Sequence, residues 1–408
     1  MKEDVDPSSP HPVQTDFAIH GLFPGYYDGT RVSYSFRSLM NSMRAPEVPV
    51  HAYALGNGAG TRGEVSALLP MTLYRHTSRL VRHPSRALVR RFQHRFSPGD
   101  VAYMWLHNPP AVYRGLQQRG MVVVREMVNC TFARCRTELA RAYADLGSHD
   151  PAAATDASID LERNELLAAD AVFCPNDLVV ESVLAYGVAP ERCLKTSYGW
   201  SPERLQGTSR LVARSTGVTF LFAGTGTVRK GLPWLLAAWA LADTRGRLLI
   251  AGDIDPAIRA SHAHILSRDD VIQLGHVDDM GAVYRSADVF CFPTWEEGGP
   301  MVTIEAMGMG LACIVTPMGG SGILSERSGG ALMVAAGDTG AIAKAMQVLA
   351  ANAALTARLG AESLALADSF TWARVGARRT QALRLLRREA LARRASSSPR
   401  AGSSSLQR

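Results

Sequence analysis

The chain has 408 residues, 47% of them hydrophobic and 20% charged, which excludes a mini-protein, one small core, and disorder over most of its length. Lys and Arg number 44 against 37 Asp and Glu, a net charge of +7 that suits anionic partners without naming one. The six cysteines, Cys130, Cys135, Cys174, Cys193, Cys291 and Cys313, are scattered without a Cys-x-x-Cys pair; they read as reduced, buried thiols of a cytoplasmic protein.

Residues 1–15 are polar and partly acidic. They lack the basic and apolar regions of a signal peptide and are expected to be disordered. From residue 16 to 205, short apolar runs at Phe17–His20, Val48–Leu55, Val101–Leu106, Met121–Val124 and Ala171–Cys174 alternate with amphipathic stretches. This is the pattern of a parallel sheet covered on both faces, so 16–205 reads as one Rossmann-like domain. The polar stretch Gln206–Gly217 reads as a linker opening a second domain over 206–375. Its strands are expected at Val218–Ala223, Arg247–Ala251, Val271–Gln273, Val289–Phe292 and Ala312–Val315. Helical spacing of Leu232, Leu235, Leu236, Trp239 and Ala240 predicts a helix over Gly231–Asp243, and Ile342, Ala345, Met346 and Leu349 predict one over Asp338–Ala350. A long helical pattern follows Trp372, its part from 376 to 394 forming a C-terminal helix, and the Ser/Arg-rich residues 395–408 are expected to be disordered. No apolar run approaches a membrane span, so any membrane contact would be peripheral, on the inner face.

The chemistry concentrates where strand gives way to helix. After Val289–Phe292 comes Pro293-Thr294-Trp295-Glu296-Glu297-Gly298-Gly299-Pro300 and then a helical pattern. A glycine-containing turn opening a helix is a phosphate-facing arrangement. Glu305 lies eight residues beyond Glu297, about two turns at roughly 3.6 residues per turn. Both carboxylates are expected at the carboxyl edge of the sheet, where doubly wound folds bind ligands. Carboxylates suit sugar and ribose hydroxyls, since charged acceptors make the stronger hydrogen bonds. The counter-charges come from Phe222-Ala223-Gly224-Thr225-Gly226-Thr227-Val228-Arg229-Lys230-Gly231. There Arg229 and Lys230 are expected to open a helix and favour a departing diphosphate.

These residues carry a family resemblance. The sequence resembles the GT-B glycosyltransferases of family 4, retaining enzymes that use nucleotide-sugar donors, over most of its length and most strongly after Ala171. The family's Glu-x7-Glu pattern stands as Glu297 to Glu305, its Lys-Gly as Lys230-Gly231, and its preceding Gly-Arg becomes Gly224-Thr225, with Arg229 a replacement for the missing guanidinium. Tyr198–Leu205, Leu274–Val277, Tyr284–Pro293 and Trp372 match as well.

The resemblance implies an α/β GT-B fold, two Rossmann-like domains facing each other across a cleft. It implies a sugar transferred from a nucleoside diphosphate to a saccharide or lipid-linked saccharide, in surface polysaccharide assembly, with no metal or other cofactor. Glu305 is expected to hold the donor ribose and Glu297 the transferred sugar. Gly298, Gly299 and Met301 assist, and the main chain near Val277 faces the base. On the acceptor side, Asp28-Gly29-Thr30 stands where many members carry Gly-Gly, making Gly29 the candidate. Arg125-Glu126-Met127 stands where many carry a histidine, and either Glu126 or His107 replaces it.

Other signals have plainer readings. Asp253-Ile254-Asp255 resembles a metal-binding Asp-x-Asp but reads as a surface turn after a strand. Gly224-Thr225-Gly226 is too short a fragment for a dinucleotide fingerprint. The basic residues between 75 and 95, among them Arg75, Arg79, Arg82, Arg86, Arg90 and Arg91, read as a solvated face or a contact for anionic lipid head groups. Phe92 and Phe96 are thin support for nucleic-acid binding, and none is expected. Two rivals stand beside the transferase: a nucleotide-sugar epimerase on the same fold, disfavoured by the Glu-x7-Glu match, and a catalytically silent nucleotide-sugar binder.

Overall fold

A computed structural model describes residues 16–58, 64–69, 84–105, 108–325 and 329–397. The expected disorder of 1–15 and of most of 395–408, and the basic residues 75–83, lie outside that set.

The first sheet contains β1 (Ile19–Tyr27), β2 (Val50–Asn57), β3 (Ser66–Leu69), β4 (Val101–Trp105), β5 (Val122–Glu126), β6 (Ala171–Cys174) and β7 (Cys193–Lys195), in the order β3-β2-β1-β4-β5-β6-β7. The second contains β8 (Val218–Ala223), β9 (Gly246–Ala251), β10 (Val271–Gly275), β11 (Val289–Phe292), β12 (Ala312–Val315) and β13 (Ala331–Met333), in the order β10-β9-β8-β11-β12-β13. Every pairing in the second sheet is parallel. Its strands β11 and β12 are buried at every residue, as are β4, β5 and β6 of the first. Burial on both faces follows from helical crossovers, which is why these strands, the Arg125-Glu126 end of β5 apart, read as unbroken apolar runs.

The helices are α1 (Arg31–Ser42), α2 (Pro84–Phe92), α3 (Pro110–Gln118), α4 (Phe132–Asp145), α5 (Asp156–Ala168), α6 (Asp177–Leu184), α7 (Leu232–Ala242), α8 (Pro256–Ser261), α9 (Ala263–Leu266), α10 (Met280–Arg285), α11 (Met301–Gly308), α12 (Thr339–Ala351), α13 (Ala353–Ala367) and α14 (Trp372–Ser397). The α/β fold of two parallel sheets with helices is the one expected. The chain groups into two compact units, one holding residues up to Arg125, 168–171 and from Gly376 onward, the other 126–167 and 172–375.

Among the boundaries that differ from the sequence reading, three change which residues a strand or helix presents. Strand β1 runs past His20 to Tyr27 because its register against β2 shifts between Phe23 and Tyr26. That bulge absorbs Pro24 and Gly25. Strand β5 extends to Glu126, so Arg125 and Glu126 are strand residues, both buried. Helix α14 continues to Ser397, three residues beyond Arg394.

Helix α2 carries most of the described part of the basic segment. It buries Ser85, Leu88 and Phe92 and exposes Arg86, Arg90 and Arg91. Its apolar face is therefore already covered, whereas a helix lying in a membrane interface needs that face uncovered. Among the described residues no helix is long and apolar enough to cross a membrane.

Candidate active site

In the second sheet the chain steps outward from β8 to β9 and β10, then returns to place β11 on the other side of β8. The β8/β11 junction is thus a topological switch point, where the two following turns diverge and leave a crevice. Those turns, 224–231 and 293–300, carry the candidate donor-site residues. They are tied together: the Trp295 amide and the Thr294 hydroxyl each donate to the Arg229 carbonyl at 2.9 Å.

Arg229 and Lys230 do not open a helix, contrary to expectation. They lie in a turn, and α7 begins only at Leu232, after Gly231 has taken a left-handed conformation with φ +75°. That reversal turns the two cations toward the second loop. Arg229 Nη1 lies 3.3 Å from Glu296 Oε2 and 3.2 Å from Glu297 Oε1. Lys230 Nζ contacts Glu297 Oε1 and stands 5.3 Å from the centre of the Phe292 ring. Burial, with the Arg229 cation second, pushes the Lys230 ammonium well below the ordinary lysine range, and the Glu296 carboxylate opposes the shift. A cation disfavoured in this way gains when a further anion arrives.

Glu297, only 6% exposed, precedes α11, whereas Glu305 is the fifth residue of that helix and 4% exposed. Arg204 Nη1 donates to Glu305 Oε1 at 2.6 Å and the Tyr284 hydroxyl donates to Oε2 at 2.9 Å. Burial pushes the Glu305 carboxyl up; Arg204 and the Tyr284 hydrogen bond hold it down. The same burial, then the Glu305 charge, pushes the Tyr284 phenol up. A buried acid with a guanidinium and a phenol fixed on it remains a hydroxyl acceptor, because each carboxylate oxygen has two lone-pair sites.

The glycines of the second turn are places of close approach. A Cβ on Gly298 would strike the Val128 carbonyl, and one on Gly299 the Tyr198 ring. Asn176 Nδ2 donates to the Gly298 carbonyl, and Asn176 Oδ1 caps α6 by accepting from Val179 N at 2.9 Å. Pro300 is the N-cap of α11 without a side-chain cap, and Met301 is its first residue. Gly224, at φ +132°, has open space where a Cβ would stand, and Thr225 beside it is exposed. Val277 follows β10 and is half-buried.

The structure also brings the end of β5 to this loop. After the buried Glu126, Met127 N bonds Phe173 O at 3.0 Å, and the Tyr198 hydroxyl donates to Met127 O at 3.3 Å. Three residues on, Cys130 N donates to Glu296 Oε1 at 3.1 Å. Gly29 belongs to the other unit. Its amide donates to Ser33 Oγ at 3.0 Å in a turn closed by Asp28, whose Oδ1 accepts from Thr30 N and from Ser33 Oγ. His107 lies outside the described residues.

Asp253 and Asp255 have structural roles in agreement with the plain reading. The Asp253 carbonyl accepts from Gly226 N at 2.7 Å, and Asp255 Oδ1 caps α8 by accepting from Ala257 N at 2.8 Å. No group of three or more His, Cys, Asp or Glu among the described residues is placed to hold a metal ion.

Sequence reasoning missed Glu296, Arg204 and Tyr284. Their signal was the motif itself, because two acids entering a sheet edge of fully buried strands need cations and donors nearby. Arg204 and Tyr284 both stood in stretches matching the family, Tyr198–Leu205 and Tyr284–Pro293.

Residues 217–352 match the family model described as glycosyl transferases group 1. The phosphatidyl-myo-inositol mannosyltransferase of Mycobacterium leprae is 30% identical over 291 residues, spanning 67% of this chain and 71% of that protein. Among solved structures, sucrose-phosphate synthase of Thermosynechococcus elongatus superposes with a TM-score of 0.68 at 18% identity, over 91% of this chain and 99% of that one. HepE of Anabaena, in complex with UDP and glucose, gives 0.66 at 14% identity, over 90% and 100%. With the family-model match, the mannosyltransferase relative and the GT-B fold in agreement, the chain belongs to the group 1 glycosyltransferases and is a sugar-transferring enzyme.

Proposed function

We propose that the protein takes a hexose-type sugar from a nucleoside diphosphate donor and transfers it, with retention of anomeric configuration, to a saccharide or lipid-linked saccharide in surface polysaccharide assembly. The observation that carries this reading is the pair of buried carboxylates that follow β11, Glu297 held by the cations Arg229 and Lys230 of the turn after β8 and Glu305 held by Arg204. UDP and glucose bound to HepE, and the mannosyltransferase relative, support the donor and transfer chemistry.

In this reading the diphosphate competes with Glu297 for Lys230 and Arg229, which supply the positive charge that the leaving group needs. Glu297, released from the lysine, accepts hydroxyls of the transferred sugar; Glu305 accepts those of the ribose. The anomeric carbon–oxygen bond to phosphate breaks and the bond to the acceptor oxygen forms on the same face. The acceptor proton passes to a departing phosphate oxygen. No cofactor beyond the donor is required.

The test is nucleotide release from UDP-, GDP-, ADP- and TDP-sugars, with and without EDTA, by wild type and Glu305→Ala. Release from one donor, indifferent to EDTA and with affinity about tenfold or more weaker in the variant, is expected, since hydrogen bonds to a charged acceptor are worth roughly 1.5–3 kcal/mol. Unchanged affinity in Glu305→Ala removes that residue from the site. Nucleotide-sugar binding without release or transfer, even with an acceptor panel, favours a silent binder.

A further inference from the structure

Glu305 owes its state to residues outside its own motif. Among the described residues, the titratable and charged groups facing it are Arg204 and Tyr284, and both belong to one substructure. Tyr284 is on α10, and Arg204 lies in the short turn Pro202–Leu205. Arg285, the last residue of α10, fastens that turn by donating from Nη1 to the Leu205 carbonyl at 2.6 Å and from Nε to the Ser209 carbonyl at 2.7 Å. Gly281 on the same helix lets the turn lie close, since a Cβ there would come within 2.7 Å of the Leu205 carbonyl.

We propose that Arg204, carried on the turn that Arg285 fastens to α10, is a positioning residue that fixes the Glu305 carboxylate for the donor ribose. The inference rests on the ribose role given to Glu305 above and deepens it. Arg204 is 39% exposed while Glu305 is buried, so the guanidinium is not needed to fill a core. Its tie to Oε1 and the phenol on Oε2 leave the carboxylate one orientation, with a lone pair on each oxygen for the ribose diol. Without the cation, a carboxylate so desolvated takes up a proton at higher pH, and the protonated oxygen becomes a donor instead of a charged acceptor.

The test compares UDP, GDP and ADP, titrated calorimetrically into the full chain, with the 2′,3′-dideoxy analogue of whichever binds tightest, from acid to alkaline pH. In Arg204→Gln, ribonucleotide affinity is expected to fall about tenfold near neutral pH while the dideoxy affinity hardly moves. The acid limb of ribonucleotide binding moves to higher pH, because removing a cation raises the Glu305 pKa. Arg204→Lys restores part of that limb.

An equal loss for both nucleotides would mean that Arg204 meets the diphosphate directly and would overturn the proposal, as would an unmoved acid limb. If wild type shows no preference for the ribonucleotide, or binds none of the three, the ribose role of Glu305 itself fails and the proposal with it. Should Arg204→Gln not fold, Arg285→Ala reads the same point. A ribose-selective loss is expected, and a loss shared by both nucleotides, or none, overturns the inference.

Discussion

Lys230→Ala is expected to lower kcat about 10²- to 10³-fold and to change nucleotide affinity far less. The side chain is 16% exposed, lies against Phe292 and contacts Glu297, so its charge acts where water is largely excluded. Negative charge on the diphosphate grows as the glycosidic bond breaks, and an interaction that strengthens on the way to the transition state appears in kcat rather than in binding. Removing one preorganised donor of this type costs about 10²- to 10³-fold in other enzymes. The variant leaves no buried acid alone, because Glu297 keeps Arg229 at 3.2 Å; a small shift in thermal unfolding is therefore expected. Initial rates against donor concentration, with nucleotide titrations alongside, check the division. A kcat equal to wild type sinks the phosphate role, and a loss confined to affinity makes Lys230 a ground-state binder.

The two turns that bear this chemistry differ in how legible they were. The 293–309 segment announced itself because every signal is local: an apolar strand, a pair of glycines, then a helical pattern that sets Glu305 eight residues after Glu297. The 224–231 turn holds the two cations in a geometry other than the one expected. Leucines at helical spacing continue the pattern back to Gly231, and nothing local reveals that Gly231 is left-handed and that the helix starts after it. Contacts that reach across the chain were invisible for a further reason. Arg204 is 101 residues from Glu305, and Cys130 is 166 from Glu296; no periodicity encodes such pairs, which exist only once the β8/β11 turns are in place. The bulge at Pro24 and Gly25 is the same lesson in the other sheet, where turn-forming residues were absorbed by a register shift.

Gly231→Ala is expected to be strongly damaging, because two independent costs coincide there. The left-handed backbone at φ +75° costs a residue with a Cβ about 1–2 kcal/mol. The methyl would in addition lie on the Pro293 carbonyl, a backbone atom that cannot swing aside as a side-chain tip does; overpacking of this sort adds about 1–3 kcal/mol. Gly187 separates the two terms. It has φ +86°, and nothing lies within 4 Å of where its Cβ would stand, so Gly187→Ala carries only the backbone cost. Urea midpoints of the two variants should therefore differ, Gly231→Ala falling lower by the steric contribution. Because Pro293 leads into Thr294 and Trp295, both bonded to the Arg229 carbonyl, the displaced loop carries Glu296 and Glu297 away from the cations. Transfer activity should accordingly fall in Gly231→Ala under conditions where it remains folded, and stay near wild type in Gly187→Ala. Equal midpoints and equal activities would mean that the close approach of the two turns is not what holds the charged cluster together.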